Sequence, residues 1–420
     1  MIRKGSSSIF RSKYDFRWDV LDVIISGKSS IDSSVGFLIQ TSDEAGRFIE
    51  SYGYDLENPI ERAEVLGNFH EALDFVRKYF LHPENPDGLK LEIPRKVMEL
   101  TDIRELFLMA SLYFPSQTAD INGQLLKMWA CSLLKVMHTI AHMDKDLRTP
   151  YFSDIQKQIF DRFYKVIYRD AEGALFMGEK DNDPVRIGLV AFETKPKKAR
   201  DSIILKLLHK PENVAEDIFD RVGIRFVTET VLGAIQVVKY LKDKMIVMPP
   251  NIKPSRSRNT LVDLDEFRAK LADILPQLER GEIEESAFLT MLNEATHPPR
   301  VNPENPHSSE FYRAIQFTCR QLIKLRNPIY DDLKDLKQLA RFKQTGPDMG
   351  HDNILKAIDK MEMKHLQREV RFFYPYEVQV MDRHCAEENE RGWSAHSEYK
   401  KAQVNTALRR VMGGLVDVAR

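Results

Sequence analysis

The pattern of apolar residues changes near Gly178, and this change constrains the fold more than any other feature of the chain. Before it, apolar residues recur every three or four positions, as on one face of a helix; Val65, Phe69, Leu73 and Val76 are an example. After it, short β-branched and aromatic runs alternate with helical runs. Since strands that alternate with helices pack in layers, the whole chain is predicted to be α+β.

Two domains are predicted from this change. The polar, turn-rich residues 179–184 (EKDNDP) are typical of a boundary. We expect an all-helical N-terminal domain over residues 1–178, with helices at about 123–146 and 153–168. The rest of the chain, residues 179–420, is predicted to form a mixed sheet of about five strands flanked by helices.

The second half has a regular order of predicted elements with one insertion. Strands are predicted over residues 185–194, 223–229, 314–323 and 376–381, and helices over residues 199–209, 232–242 and from Cys385 onward. Between the second and third strands, Leu264, Phe267 and Leu271 have helical spacing. They predict a helical hairpin at residues 263–295, within an insertion of about 260–300. Its flanks are basic or proline-rich, which suits binding loops.

Composition and charge exclude several classes of protein. Hydrophobic residues make up 43% of the chain and charged residues 30%, which argues against disorder. The formal net charge is -1, so there is no strong nucleic-acid signal. The longest apolar stretch, residues 106–114, is too short for a bilayer, and the start lacks the apolar run of a signal peptide. Three widely spaced cysteines argue against a structural zinc site. We expect a cytoplasmic protein with no membrane partner.

The most informative pattern lies in residues 376–400 (YEVQVMDRHCAEENERGWSAHSEYK). Glu377 and Gln379 are two positions apart on a predicted strand, so their side chains point to the same side. Because Val378 and Val380 alternate with them, the polar face would line a site. Spacing alone favours the simpler alternative, a solvent-facing edge strand.

This segment resembles the end of the RelA/SpoT nucleotidyltransferase domain, the (p)ppGpp synthetase. That family has a strand E-V-Q-I-R-T followed by a helix with A-E-x-G-x-A-A-H-x-x-Y-K. The residues that fall in this register without a gap are Glu377, Gln379, Glu390, Gly392, Ala395, His396, Tyr399 and Lys400. The resemblance covers about residues 185–400 and leaves the N-terminal half unexplained.

Two earlier blocks occur in the order of the family. Residues 216–227 (EDIFDRVGIRFV) are similar to its D-x-x-G-x-R strand entry, with Asp220 at the position of the metal-binding aspartate and Gly223 and Arg225 at those of the glycine and arginine. An aspartate before a strand is more often a turn residue. Residues 198–206 (KARDSIILK) resemble the family's K-S-x-x-S-I-x-x-K, although they also fit a plain amphipathic helix.

The basic block differs from the family at one position. Lys198, Ser202 and Lys206 match, and the family uses its basic residues here to hold the phosphates of ATP. Pro196 stands where the family has the arginine that stacks on the ATP base. Lys195 or Arg200 would have to substitute for it.

A fourth block, residues 311–316 (FYRAIQ), is the best candidate for the family strand G-Y-x-S-L-H, which stacks the guanine base. Tyr312 keeps the stacking aromatic residue, a kind of contact worth about 1–3 kcal/mol per base. Gln316 replaces the histidine. Arg256 and Arg258 would supply the basic residues that the family has ahead of this strand.

The resemblance implies an enzyme of guanosine tetraphosphate metabolism and the stringent response, a GTP diphosphokinase-like transferase. It would transfer pyrophosphate from ATP to the 3′-hydroxyl of a guanine nucleotide, with Mg²⁺ bound by Asp220 and Glu377. Glu377 would also orient or deprotonate the attacking hydroxyl. The implied phosphate-binding residues are Lys198, Arg200, Lys206 and Arg225.

Three alternatives are compatible with the same residues. The first is the same chemistry on an adenine nucleotide or an RNA 3′ end, which the departures at residues 311–316 favour. The second is a catalytically inactive nucleotide-binding regulator, against which the retention of Asp220 and Glu377 argues. In the third, the helical half binds a protein partner and the nucleotide-binding domain acts as its switch.

His138, His142 and Asp146 are spaced so that they share one helix face, and a metal-dependent hydrolase site there is a further hypothesis. The hydrolase domain of long RelA/SpoT proteins has an adjacent His-Asp pair. Here Met143 separates His142 from Asp144, which favours ordinary surface histidines.

Overall fold

The structure, a computed structural model, describes residues 25, 39–111, 121–180, 186–195, 199–210, 220–299, 312–342, 368–391 and 396–419. These residues form thirteen α-helices and one seven-stranded mixed sheet. The predicted α+β class is therefore confirmed, with two more strands than the five expected. Three residues of the sequence-based site, Lys198, Gly392 and Ala395, lie outside the described residues, as do Pro196 and Phe311.

The helical half begins with five helices. They are α1 (Ser42–Tyr52), α2 (Pro59–Phe80), α3 (Arg95–Met98), α4 (Ile103–Ala110) and α5 (Ile121–Asp144). Local sequence explains where the first two start. Thr41 and Glu44 form a reciprocal capping box at α1. Asn58 caps α2, and Pro59 stands at its first turn, where a missing N–H costs nothing.

The core of this half includes helices from much later in the chain. Trp129 of α5 and Phe69 of α2 are fully buried in it. Ile204 of α7 (Arg200–His209) and Val411 of α13 (His396–Val418) belong to the same cluster. The helical half is thus completed by residues beyond 178, and α7 packs into it through its apolar side chains.

Residues 167–177 differ from the all-helical prediction for residues 1–178. Helix α6 (Phe152–Tyr164) ends early, and β1 (Ile167–Arg169) and β2 (Leu175–Met177) follow it as an antiparallel pair. The turn between them ends with Gly173, whose φ of 86° favours glycine. Strand β2 pairs in turn with β3, so tertiary pairing extends the sheet to this short β-branched and aromatic segment.

The sheet has the order β1-β2-β3-β4-β7-β6-β5. The remaining strands are β3 (Ile187–Thr194), β4 (Gly223–Thr228), β5 (Arg258–Asn259), β6 (Ile315–Arg326) and β7 (Glu369–Asp382). Neighbouring strands are antiparallel except β4 and β7, which are parallel with Gly223 opposite Glu377. The four predicted strands of the second half are confirmed.

One face of the sheet forms an apolar core with two helices. Phe163 of α6 and Val237 of α8 (Val231–Asp243) are fully buried there against Phe226, Val378 and Val380. Since side chains alternate along a strand, Glu377 and Gln379 point to the opposite face. Helix α12 (Arg383–Arg391) follows β7 directly.

The predicted helical hairpin is confirmed. It consists of α9 (Leu264–Glu279) and α10 (Glu285–Glu294), and it packs against α8 through a separate apolar cluster that contains Leu232, Phe267 and Phe288. Helix α11 (Pro328–Phe342) follows β6. Within the described part of the chain, none of the helices combines the length and the hydropathy that crossing a bilayer requires.

Candidate functional site

Glu377 lies at the centre of a hydrogen-bonded cluster on the polar face of the sheet. Gln316 Nε2 donates to its Oε1 over 2.5 Å, and Gln379 Nε2 donates to its Oε2 over 3.0 Å. The ammonium of Lys195 also donates to Oε2, over 3.0 Å. Glu377 is only 8% exposed. A carboxylate this deeply buried needs such partners, because an uncompensated buried charge is strongly unfavourable.

The strands position this cluster through their register. Two rows of facing residues cross the polar face. In the strand order β3, β4, β7 and β6, the first row is Lys195, Gly223, Glu377 and Thr318, and the second is Glu193, Arg225, Gln379 and Gln316. Polar side chains from four different strands are therefore brought together, although they are up to 186 positions apart in the sequence, as with Glu193 and Gln379.

Gly223 allows Lys195 to reach Glu377. A Cβ at residue 223 would lie 2.5 Å from Lys195 Cδ, and 3.1 Å from its Cγ. The aliphatic part of Lys195 therefore crosses β4 directly over the glycine. This close approach gives a packing reason for the glycine that sequence comparison had only matched to a motif.

Asp220 precedes β4 and is paired with another lysine. Its Oδ2 is 2.5 Å from Lys206 Nζ, and both side chains are largely buried, with 18% and 16% exposure. Gly223, three residues after Asp220, faces Glu377 across the parallel pair of strands. The two candidate metal-binding carboxylates therefore each have a lysine as a partner.

Arg225 and Gln379 face each other across the same strand pair. Arg225 Nη1 lies 3.4 Å from Glu193 and 3.5 Å from Glu390, while its Nε is buried without a hydrogen-bond partner among the described residues. Gln379 Oε1 is likewise buried without one in the described part of the chain. Because buried polar atoms are nearly always hydrogen-bonded, a donor and an acceptor are available here to a ligand.

Tyr312 lies beside this cluster. Burial raises the pKa of its phenol to about 12, with a lowering contribution from Arg225 and a raising one from Glu377. The phenol is therefore neutral at physiological pH and close enough to both residues to sense their charge. Its ring packs with Ala314 and Met381 at the end of the polar face.

The other predicted nucleotide-binding residues lie in different parts of the fold. Arg258 in β5 faces Gln316, so it borders the cluster, whereas Arg256 lies in the preceding 3₁₀ turn. Ser202 is in the first turn of α7, where its backbone N–H donates to Ala199.

Arg200 is engaged with the helical half. Its guanidinium donates to Glu71 of α2 and to Asp144 of α5, with two bonds to each carboxylate at 2.5–2.8 Å. These bonds raise the pKa of the guanidinium further, with Asp144 as the main cause. The next residue, Asp201, accepts from Lys78 and Tyr79 of α2. The start of α7 is thus fixed by the helical half. The guanidinium of Arg200 is already bonded to two carboxylates, which argues against its predicted role in binding phosphate.

Several residues of the site were not predicted from sequence. Lys195 was considered only as a substitute for a stacking arginine, yet it is the cation on Glu377. Thr318, which is 3% exposed, faces Glu377 from β6. Asn389 of α12 bonds both the N–H and the C=O of Arg313, which holds the start of β6. Thr318 is two positions after Gln316 on the same strand, so the alternation of side chains would have placed it on the same face. The positions of Lys195 and Asn389 depend on tertiary pairing.

His138 and His142 pack against each other and against Tyr52. The rings of His138 and His142 are 4.3 Å apart, and His138 Nδ1 is 2.7 Å from the hydroxyl of Tyr52. Burial, and then the proximity of His142, lower the pKa of His138 to about 4. Asp146 does not join them, because it binds Arg148 and Arg221. Across the described residues, no group of three or more His, Cys, Asp or Glu side chains is arranged to hold a metal ion.

The chemistry of Asp220 and Glu377 nevertheless suits Mg²⁺. This ion prefers oxygen ligands, and it usually takes one or two carboxylates while substrate phosphates and water complete its shell. Glu377 in the cluster and Asp220 ahead of β4 are the two candidate carboxylates. In the present structure both are neutralised by lysines, so an incoming cation would have to compete with two ammonium groups.

The fold and the site define an α+β protein with a polar, partly buried cluster of carboxylate, amide and cationic groups on one face of a mixed sheet. Searches against protein-family models, curated proteins and solved structures find no match to this chain.

Proposed function

We infer that this chain is a nucleotidyltransferase-like enzyme that transfers pyrophosphate from ATP to the 3′-hydroxyl of a guanine nucleotide, with Mg²⁺ as its cofactor. The observation that supports this most is the position of Glu377. It is a buried carboxylate held by two amides and a lysine, next to a strand whose entry contains Asp220. The order of the motifs supports the pair, since Asp220 lies three residues before Gly223, which faces Glu377.

The reaction needs charge neutralisation and alignment more than covalent chemistry. In the proposed complex, Lys195 and Lys206 exchange their carboxylate partners for the phosphates of ATP, where charge-assisted hydrogen bonds are strong. Asp220 and Glu377 would hold Mg²⁺, which supplies positive charge to the phosphate oxygens when bound. Glu377 would accept the proton of the attacking 3′-hydroxyl or orient it, as its oxygen bonds to the β-phosphorus of ATP and AMP leaves.

The acceptor nucleotide is proposed to bind at Tyr312 and the polar atoms near it. Tyr312 would stack on its base, while Arg225 Nε and Gln379 Oε1, a buried donor next to a buried acceptor, would bond polar groups of the same nucleotide. Guanine is proposed from the resemblance. An adenine nucleotide or an RNA 3′ end offers donors and acceptors too, and both belong in the test.

A second candidate, an inactive nucleotide-binding regulator, is favoured by one specific observation. Both carboxylates are already neutralised by lysines, an arrangement that would be stable without metal.

An acceptor panel separates these candidates. The full chain, Mg²⁺ and ATP labelled at the γ-phosphate are incubated with GDP, GTP, AMP, ADP and a tRNA, and products are resolved by chromatography. Label on GDP or GTP supports the proposal, and label on another acceptor moves the function to that substrate. ATP binding without any labelled product supports the regulator, and absence of both ATP binding and transfer contradicts both.

A further inference from the structure

The two longest strands extend well beyond the rest of the sheet. Strand β6 pairs with β7 along its full length, from residues 315 and 380 to residues 326 and 369. Strand β4 pairs with β7 only from Glu377 to Asp382. Residues 320–326 and 369–375 therefore form a two-stranded arm. With a rise of about 3.4 Å per residue, the arm is roughly 20 Å long.

One face of the arm belongs to the protein core. Ile323, Leu325 and Tyr374 are buried on it. Helix α6 supports this side, because Gln158 bonds both the backbone N–H and the backbone C=O of Lys324, and also accepts at its own carbonyl from Gln321. The arm is thus anchored and its orientation is fixed.

The opposite face is exposed and strongly basic. Arg320, Lys324 and Arg326 of β6 and Arg371 of β7 are all exposed on it. Glu369 is the one acid among these facing positions, and it is already bonded to Arg371 at 2.8 Å. Four cations against one carboxylate stand out in a chain whose formal net charge is -1.

The pKa of Glu369 reflects the positive charge that surrounds it. The pKa of Glu369 is lowered, first by its hydrogen bond to Arg371, and also by the charges of Lys324 and Arg368. Arg368 adds a further cation at the base of β7. The charge on this face was not visible from the composition, because strand pairing, not sequence proximity, concentrates it.

An exposed aromatic residue lies among these cations. Phe373 is 52% exposed and faces Leu322, which is 41% exposed, directly across the two strands. The next pair along the same face is Lys324 and Arg371. Apolar side chains of this size are normally buried, and an exposed group with a charged rim is typical of a binding surface.

We propose that this face of the β6–β7 arm, defined by Arg320, Leu322, Lys324, Arg326, Arg371 and Phe373, binds single-stranded nucleic acid. Cations that follow the phosphates and an aromatic ring that stacks on a base are the combination that such strands require. A duplex keeps its bases stacked on each other, so Phe373 would have no base face to contact. This surface lies on the same face of the sheet as Glu377, with Phe373 four residues before Glu377 along β7. None of its six residues belongs to the proposed transferase site.

The test is fluorescence anisotropy with the full chain and labelled 12-nucleotide U and T strands, between 50 and 300 mM salt. We expect affinity to fall with salt with a log–log slope of about −3, since four cations each contribute about 0.7. Lys324→Gln with Arg326→Gln reduces the magnitude of this slope by about 1.4. Phe373→Ala weakens binding at least fivefold, as loss of a stacked base predicts.

The matched control is the double variant Lys239→Gln with Lys242→Gln, which removes the same charge from exposed positions on α8. It leaves binding unchanged, and circular dichroism checks that all variants are folded. No salt-dependent binding, an equal loss in the control, or tighter binding of a 12-base-pair duplex or of a poly-glutamate peptide would each overturn the proposal. Pyrophosphate transfer by Phe373→Ala is unchanged, so the two proposals fail separately.

Discussion

Lys195 and Glu377 form an ion pair across an intervening strand, with 3.0 Å between ammonium and carboxylate. Lys195 follows β3 and Glu377 belongs to β7, while β4 lies between them. The side chain of Lys195 reaches Glu377 by passing over Gly223, which has no side chain to block it. This relationship makes the glycine, the lysine and the carboxylate a single unit, and it can be tested without any activity assay.

Gly223→Ala should lower the free energy of unfolding by about 1–3 kcal/mol, the usual cost of overpacking, because its Cβ would overlap Lys195. In a Lys195→Ala background the same change should cost much less. Urea denaturation of the four proteins gives the coupling energy. Gly188→Ala in β3 is the control, since its Cβ meets no atom closer than 4.0 Å. Equal costs in both backgrounds would contradict the packing argument.

Arg200→Gln should affect stability and leave nucleotide binding nearly intact. Its bonds to Glu71 and Asp144 are partly exposed, so their loss should cost only about 1 kcal/mol. Lys206→Gln should instead weaken ATP binding, because Lys206 lies beside Asp220. Calorimetric titration with ATP distinguishes the two. If Arg200→Gln weakens ATP binding tenfold with unchanged stability, Arg200 contacts the nucleotide, as the family resemblance implied.

The stability of the protein should fall as the pH is lowered from 6.5 towards 4, and His138 should be one cause. Its pKa is lowered in the folded state, so it stays neutral there while the unfolded chain takes up a proton. At pH 4.5 this costs about 2 kcal/mol relative to neutral pH. His138→Asn should remove that part of the pH dependence in urea titrations, whereas His142→Asn, at an exposed position, should largely preserve it. An unchanged profile in His138→Asn would refute the assignment.

Asp146 should be a main stabilising residue between the two cores. Its side chain is 4% exposed and bonds Arg221, which is 7% exposed, and Arg148. Asp146→Asn leaves the guanidinium of Arg221 without its counter-charge, so stability at pH 7 should fall by about 3 kcal/mol.

The pH dependence of this effect has a defined sign. Burial raises the pKa of Asp146, but Arg148 and Arg221 outweigh it and the net pKa is lowered. Its contribution is therefore complete above the unfolded value near 3.8 and is lost as the pH falls through the lower folded pKa. Urea unfolding should show the wild type and Asp146→Asn converging in strong acid. Asp243→Asn, an exposed carboxylate with two lysine partners, should match the wild type at pH 7.

Much of the second half followed from periodicity, because β3, β4 and α8 have unambiguous local patterns. The same applies to the helical hairpin, whose apolar residues face α8. The strands at residues 167–177 were missed because each is three residues long and gains its structure from pairing with β3. Local sequence has little influence on so short an element.

For the site, alternation correctly put Glu377 and Gln379 on one face, and the hydrogen bond between them confirms it. What alternation leaves undecided is whether that face is buried. Lys195 and Arg200 show why cation roles are hard to assign from sequence: their positions near the same block are similar, yet one reaches Glu377 and the other reaches α2 and α5. Long flexible side chains are directed by the surfaces that pack around them.

The most direct test of the central claim is the fate of the β- and γ-phosphates of ATP when Glu377 is changed. The full chain is incubated with Mg²⁺, with GDP and with ATP labelled in both phosphates. Glu377→Gln is assayed in parallel, and Glu229→Gln is the control, because Glu229 is an exposed carboxylate paired with Arg383. The account predicts that both labels move together to the 3′ position, at a rate reduced at least a hundredfold in Glu377→Gln and unchanged in the control. Transfer of the γ-phosphate alone, or equal rates in Glu377→Gln and the wild type, would contradict it.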